Sequence, residues 1–207
     1  MHAALGTPDA ARPSVAGARS WTVAGLRLSP AWVWLAGLLA VVSVSVADGL
    51  LADVVPFERD TTVFYYPLMA WVSQRLHQGE LPLWTPQVFG GYPIFADGEI
   101  GLAYPPALLA LFFFSPDRAL VVLRLAHLWL AAGGMFALAR AWRLPYSSAA
   151  LAGVVFALGS FLAAQIHHEN IVRTAAWLPL TLALSLFLLP RIKGAVIGVQ
   201  WAAKIRG

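Results

Sequence analysis

Apolar residues in this chain fall into long unbroken blocks, with none of the strict alternation that half-buried strands require. Ala31 to Ala47, extended by Leu50 and Leu51, forms the first block. At about 1.5 Å of rise per residue it is long enough to cross a hydrocarbon core of about 30 Å, which predicts a spanning helix over 31–51. Three more blocks follow at Ala119 to Ala139, Ser147 to Gln165 and Thr174 to Leu189, and the last is short and contains Pro179. The pattern predicts an all-α membrane protein with about four transmembrane helices, three of them within 119–190.

Between the first two blocks the chain changes character. Residues 52–118, together with Asp48 at their threshold, carry most of the acids and prolines and predict a large loop outside the membrane. Within it, Phe64, Leu68, Trp71, Val72 and Leu76 recur at helical spacing, with Ser73, Gln74 and Gln78 on other faces and Gly79 as a stop. This predicts an amphipathic helix on the membrane surface, kinked at Pro67 or starting later. Pro105 to Phe114 is apolar but too short to cross, so it is expected to be re-entrant or interfacial. Gly79 to Pro93 alternates prolines, glycines and aromatics and reads as a run of turns, either anchored at the interface by Trp84 and Phe89 or forming one wall of a cleft. The ends, 1–30 and 191–207, read as a flexible tail and a short mixed basic tail or truncation point.

Composition fits a lipid environment. Hydrophobic residues are 59% and charged residues 12%, about half the charged share of a soluble domain. The net charge of +4 comes from residues scattered beside apolar blocks, without the basic stripe that nucleic-acid binding needs. No cysteine is present, which excludes disulfides and thiol chemistry. Arg12, Arg19 and Arg27, then Arg140 and Arg143, then Arg191 and Lys193 fall on one side of the expected spans. That side is expected to be the cytoplasm, placing the N-terminus inside and the acidic loop outside a bacterial cytoplasmic membrane.

Candidate chemistry lies just beyond the first block. Glu58 and Asp60 flank Arg59 and precede Tyr65 and Tyr66. Such a carboxylate can serve as general base on an acceptor hydroxyl, or hold a divalent metal against a diphosphate, or simply cap the next helix. Spacing leaves these alternatives, and the cofactor, open. Arg124 and His127 lie three apart inside the second block, where a charge costs about 2.5–3.5 kcal/mol on insertion scales. Arg124 is expected either to pair with a ligand phosphate or to snorkel or pair with a loop acid such as Asp117. His167 and His168 adjoin Glu169 and could ligate a metal with Asp60, but adjacent histidines on a helix splay apart, so at most one should enter a shared site, and without a chelating spacing the segment reads rather as a polar surface turn.

The order Asp60, Tyr66-Pro67, Gly79-Glu80-Leu81-Pro82-Leu83-Trp84, Phe89-Gly90-Gly91-Tyr92-Pro93 and Tyr104-Pro105 resembles the first outer loop of the YfhO-type bacterial membrane proteins. His167-His168-Glu169-Asn170 followed by Trp177-Leu178-Pro179 is similar to a second outer loop of that family. The family in turn resembles the GT-C glycosyltransferases, which move a sugar from a polyprenyl-phosphate donor to an acceptor outside the membrane. The resemblance implies Asp60 as the catalytic carboxylate, with Glu58 as second choice, and Arg124, His167, His168, Trp84 and Tyr66 around the substrates. Family members have many more spans, so the chain is expected to match their N-terminal part and to be inactive alone if truncated. A transporter or flippase subunit is the rival expectation, resting on polar residues within broken spans.

Overall fold

The computed structural model describes residues 21–23, 26–51 and 60–205. Residues 1–20 of the expected tail, and Glu58, lie outside them. The described chain is predominantly helical. A short antiparallel ribbon pairs β1 (Trp21–Val23) with β2 (Leu26–Leu28) within the segment expected to be a tail. Eight helices follow: α1 (Pro30–Val44), α2 (Ala47–Leu51), α3 (Tyr66–His77), α4 (Pro105–Phe113), α5 (Pro116–Ala141), α6 (Tyr146–Leu158), α7 (Ser160–Ala164) and α8 (Glu169–Ile205), with a π-helical turn at Thr61–Tyr65 before α3. Proline stands in the first turn of α1, α3, α4 and α5, where its missing N–H costs no intrahelical bond and its fixed φ suits a helix start.

Among the described residues, three helical stretches are long and apolar enough to cross a membrane: α5, α6 continued by α7, and α8. The first block differs from its expected form. Its helix α1 has 15 residues, about 22 Å long, and the chain turns at Ser45 and Val46 before α2. The fourth block is extended, since α8 runs for 37 residues, about 55 Å, through both Pro179 and Pro190.

α5 is the hub. It packs most extensively on α8 and α6, with α1 against both α5 and α6. Trp129 on α5 ties α1 down by donating its indole N–H to Leu39 O at 3.2 Å and Ser43 Oγ at 3.1 Å. Gly153 on α6 lets three helices meet, because a Cβ there would stand 2.8 Å from both Ala132 O and a Leu38 methyl.

A second core lies under the loop. Leu68, Met69 and Val72 of α3 pack with Ile94, Ile100 and Leu102 of the loop, Leu111 of α4, and Leu120 and Leu123 of α5. Ser73, expected on a polar face, is buried here and donates to Leu111 O at 3.1 Å. The apolar face of α3 is therefore taken up by protein contacts. The loop is held from inside by its aliphatic residues, while Trp84 and Phe89 are exposed. A single bridge, Thr85 to Tyr92 with both N–H···O distances 2.8 Å, shapes its tip. Gly91 at φ 138° is required there, since a Cβ would lie 2.5 Å from the Trp84 ring.

Candidate functional site

Two stretches more than a hundred residues apart meet where the loop covers the helices. Thr61 donates its hydroxyl to His167 O at 3.4 Å, and the Tyr65 hydroxyl donates to Asn170 Oδ1 at 3.1 Å. These bonds fasten the π-helical turn to the connection that opens α8. They bring Asp60 Oδ2 to 3.4 Å from His168 Nε2, an ion-pair distance when the ring is protonated. Asp60, Phe64, Tyr65, Glu99, His168, Asn170 and Ile171 line a cleft of about 350 Å³. Glu99 is set at its rim by a turn in which its own N–H donates to Asp97 Oδ1 at 2.9 Å. Burial pushes the Tyr65 phenol up to about 12, with the Glu99 and Glu169 carboxylates adding to the effect.

Beneath the cleft lies a buried charge cluster. Arg124 of α5 donates from Nη2 to Glu169 Oε1, and Arg173 Nη2 stands 4.0 Å from Glu169 Oε2. All three side chains are buried, and Arg173 also donates from Nη1 to Ile100 O at 3.2 Å. One carboxylate thus faces two guanidiniums, leaving a net positive charge. Among the described residues, Arg124 Nε and the Nε and Nη2 of Arg173 have no hydrogen-bond partner. A third layer joins α4, α5 and α8. His127 Nδ1 lies 2.6 Å from Leu123 O and so carries a proton, the Tyr104 hydroxyl lies 3.0 Å from His127 Nε2, and Trp177 Nε1 donates to that hydroxyl at 3.2 Å.

Of the residues singled out in the sequence, Asp60 and His168 come together, and Arg124 sits below them. His167 offers its backbone carbonyl to Thr61 and sets its ring beside that of His168, with centroids 4.1 Å apart and planes tilted by 46°, but stands outside the cleft lining. Tyr66 and Trp84 also stand outside that lining, Trp84 on the loop tip against Gly91. The partner of Arg124 is Glu169; Asp117 lies in the first turn of α5, where a carboxylate favours the helix dipole. Sequence reasoning did not single out Glu99, Tyr65 or Arg173. The one available signal was the demand of a buried arginine for an acid, met by Glu169 inside the His-His-Glu-Asn run. Among the described residues no three or more histidines and carboxylates gather as a metal site.

A family described as "Protein of unknown function (DUF983)" matches residues 133–201. That stretch holds the last third of α5, α6, α7 and most of α8, including His168, Glu169 and Arg173, but neither Asp60 nor Glu99. No curated protein and no solved structure matches the chain.

Proposed function

We propose that this chain is the N-terminal part of a GT-C-like membrane glycosyltransferase that moves a sugar from a polyprenyl-phosphate donor to a cell-envelope acceptor, with inversion. Asp60 takes the proton of the acceptor hydroxyl as that oxygen attacks the anomeric carbon. The bond from that carbon to the phosphate oxygen breaks, and the polyprenyl phosphate leaves. His168, at 3.4 Å, orients the carboxylate. The supporting observation is the meeting of Asp60 with His168 and Glu99 around one cleft at the loop end of long apolar helices. A second cavity of about 410 Å³, walled largely by apolar side chains such as Val121, Leu128 and Leu162 and bordered by Arg124, offers a cation and a greasy wall to the carrier. In this reading the cleft faces outward from a bacterial cytoplasmic membrane and the N-terminus is cytoplasmic.

Transfer of radiolabelled sugar, measured in membranes carrying the whole coding sequence, tests the reading. Asp60→Asn is expected to lower transfer by about 10²–10⁴-fold, the usual worth of a general base. Equal transfer by both proteins would end it. A transporter reading is favoured by one observation, the Arg124, Glu169 and Arg173 cluster buried within the candidate spans. Substrate uptake that survives Asp60→Asn but not Glu169→Gln would select it.

A further inference from the structure

A separate small pocket opens beside the cleft and shares Glu99 and Asn170 with it. Its volume is about 170 Å³, and Tyr104, Arg173, Thr174 and Trp177 complete its working wall. Trp177 is 38% exposed, yet its indole N–H is held by Tyr104, so the ring is a fixed apolar plate at the edge of a polar hollow. Arg173 is buried, and its Nη1, which spends one N–H on Ile100 O, carries a second beside Gly101 of the pocket lining. Asn170 spends its carbonyl oxygen on Tyr65 and on the N–H of Ile171, leaving its amide nitrogen without a partner among the described residues. Glu99 adds a carboxylate with no ion pair among the described residues.

The combination selects a ligand class. An aromatic plate asks for a flat apolar face, while fixed donors on one side and a carboxylate acceptor on the other ask for several hydroxyls at once. An aliphatic chain would leave the Arg173 and Asn170 donors unpaired, and a simple anion would meet Glu99. A pyranose has both features, with axial C–H groups on one face and equatorial hydroxyls around its rim. We propose that the Trp177 pocket is a binding subsite for a single neutral pyranose ring, stacked on the indole and hydrogen-bonded by Arg173, Asn170 and Glu99. It deepens the transfer reading, on which the choice of sugars rests, by fixing where one sugar ring sits relative to Asp60.

Saturation-transfer NMR on the purified full chain in lipid nanodiscs tests it, with methyl glucoside, galactoside and mannoside as probes and glycerol as control. At least one pyranoside is expected to receive saturation through its ring protons while glycerol receives none. Trp177→Leu should weaken that binding by about tenfold or more, and Trp177→Phe should keep most of it. Should Trp177→Leu lose its helical circular dichroism, Thr174→Phe serves instead. It fills the pocket from an exposed position and removes only a hydroxyl bonded to its own helix, and it should abolish binding. No saturation of any pyranoside, or equal saturation in the Leu or the folded Thr174→Phe variant, overturns the proposal. Binding is read without turnover, so a failed pocket leaves the Asp60 test standing, and a failed Asp60 test leaves the pocket standing.

Discussion

The seam between α5 and α8 is built in two unlike ways along its length. At the loop end it encloses Arg124, His127, Glu169 and Arg173, so contact is made through charge-assisted and neutral hydrogen bonds. At the far end it closes through smallness, with Gly134 set against the backbone of Leu180 so that a Cβ would lie 3.2 Å from its nitrogen. The difference separates two kinds of dependence. Charges out of water tolerate no lost partner, whereas small-residue packing tolerates no added volume. It also separates roles, because polar groups able to do chemistry collect at the end that carries the cleft.

The sharpest way to break this contrast is at Glu169. Glu169→Gln leaves two buried guanidiniums without their carboxylate and should cost about 3–5 kcal/mol, read as a lowered unfolding midpoint in nanodiscs. Arg124→Met should cost less, since Glu169 and Arg173 then balance. The triple change Arg124→Met, Glu169→Leu, Arg173→Met should recover most of the loss. If Glu169→Gln were as stable as the parent, the loop end would not depend on its ion cluster.

Away from the charges, Gly153→Val forces a side chain against Ala132 O and Leu38 and should cost about 1–3 kcal/mol in the same measurement. Gly153→Ala should show a smaller loss in the same direction. Smaller again is Tyr104→Phe, which removes the hydroxyl between His127 and Trp177. It should cost about 1 kcal/mol, together with a shift in Trp177 fluorescence against a Trp177→Phe background.

The effect confined to alkaline solution is a pH dependence at the cleft. Folding holds the Tyr65 phenol protonated, so its contribution is complete below its ordinary value of 10.0 and is lost as pH climbs through about 12. Ultraviolet titration should therefore show the Tyr65 tyrosinate only at strongly alkaline pH, as a step missing from Tyr65→Phe. Tyr65→Phe should remove the matching loss of stability.

The far end was legible in the sequence and the loop end only partly so. Blocks such as Ala119 to Ala139 announce themselves through composition alone, because lipid demands continuous apolar surface. The turn at Ser45 and Val46 carries no proline or glycine, so nothing local marks the end of α1. Helical period sets Ser73 on a face apart from the apolar one, but period cannot foresee that α4 covers it and offers a carbonyl. The same limit hid the partner of Arg124. Asp117 is the nearer acid in sequence, whereas Glu169 is 45 residues away and is brought in because α6 and α7 return the chain to the loop end, where α8 starts parallel to α5. Asp60 and His168 were each visible as candidates, and their meeting depends on Tyr65 and Asn170, whose bond spans 105 positions.

Outward placement of the loop end underlies the proposed chemistry, and the chain is already free of cysteine, so single reporters can be introduced without background. Gln78→Cys beside α3 and Lys193→Cys near the far end of α8 are both exposed positions. In intact cells a membrane-impermeant maleimide should label Gln78→Cys and leave Lys193→Cys unlabelled until the membrane is opened. Labelling of Lys193→Cys alone would put the Asp60 cleft in the cytoplasm and contradict transfer from an outward-facing lipid-linked donor.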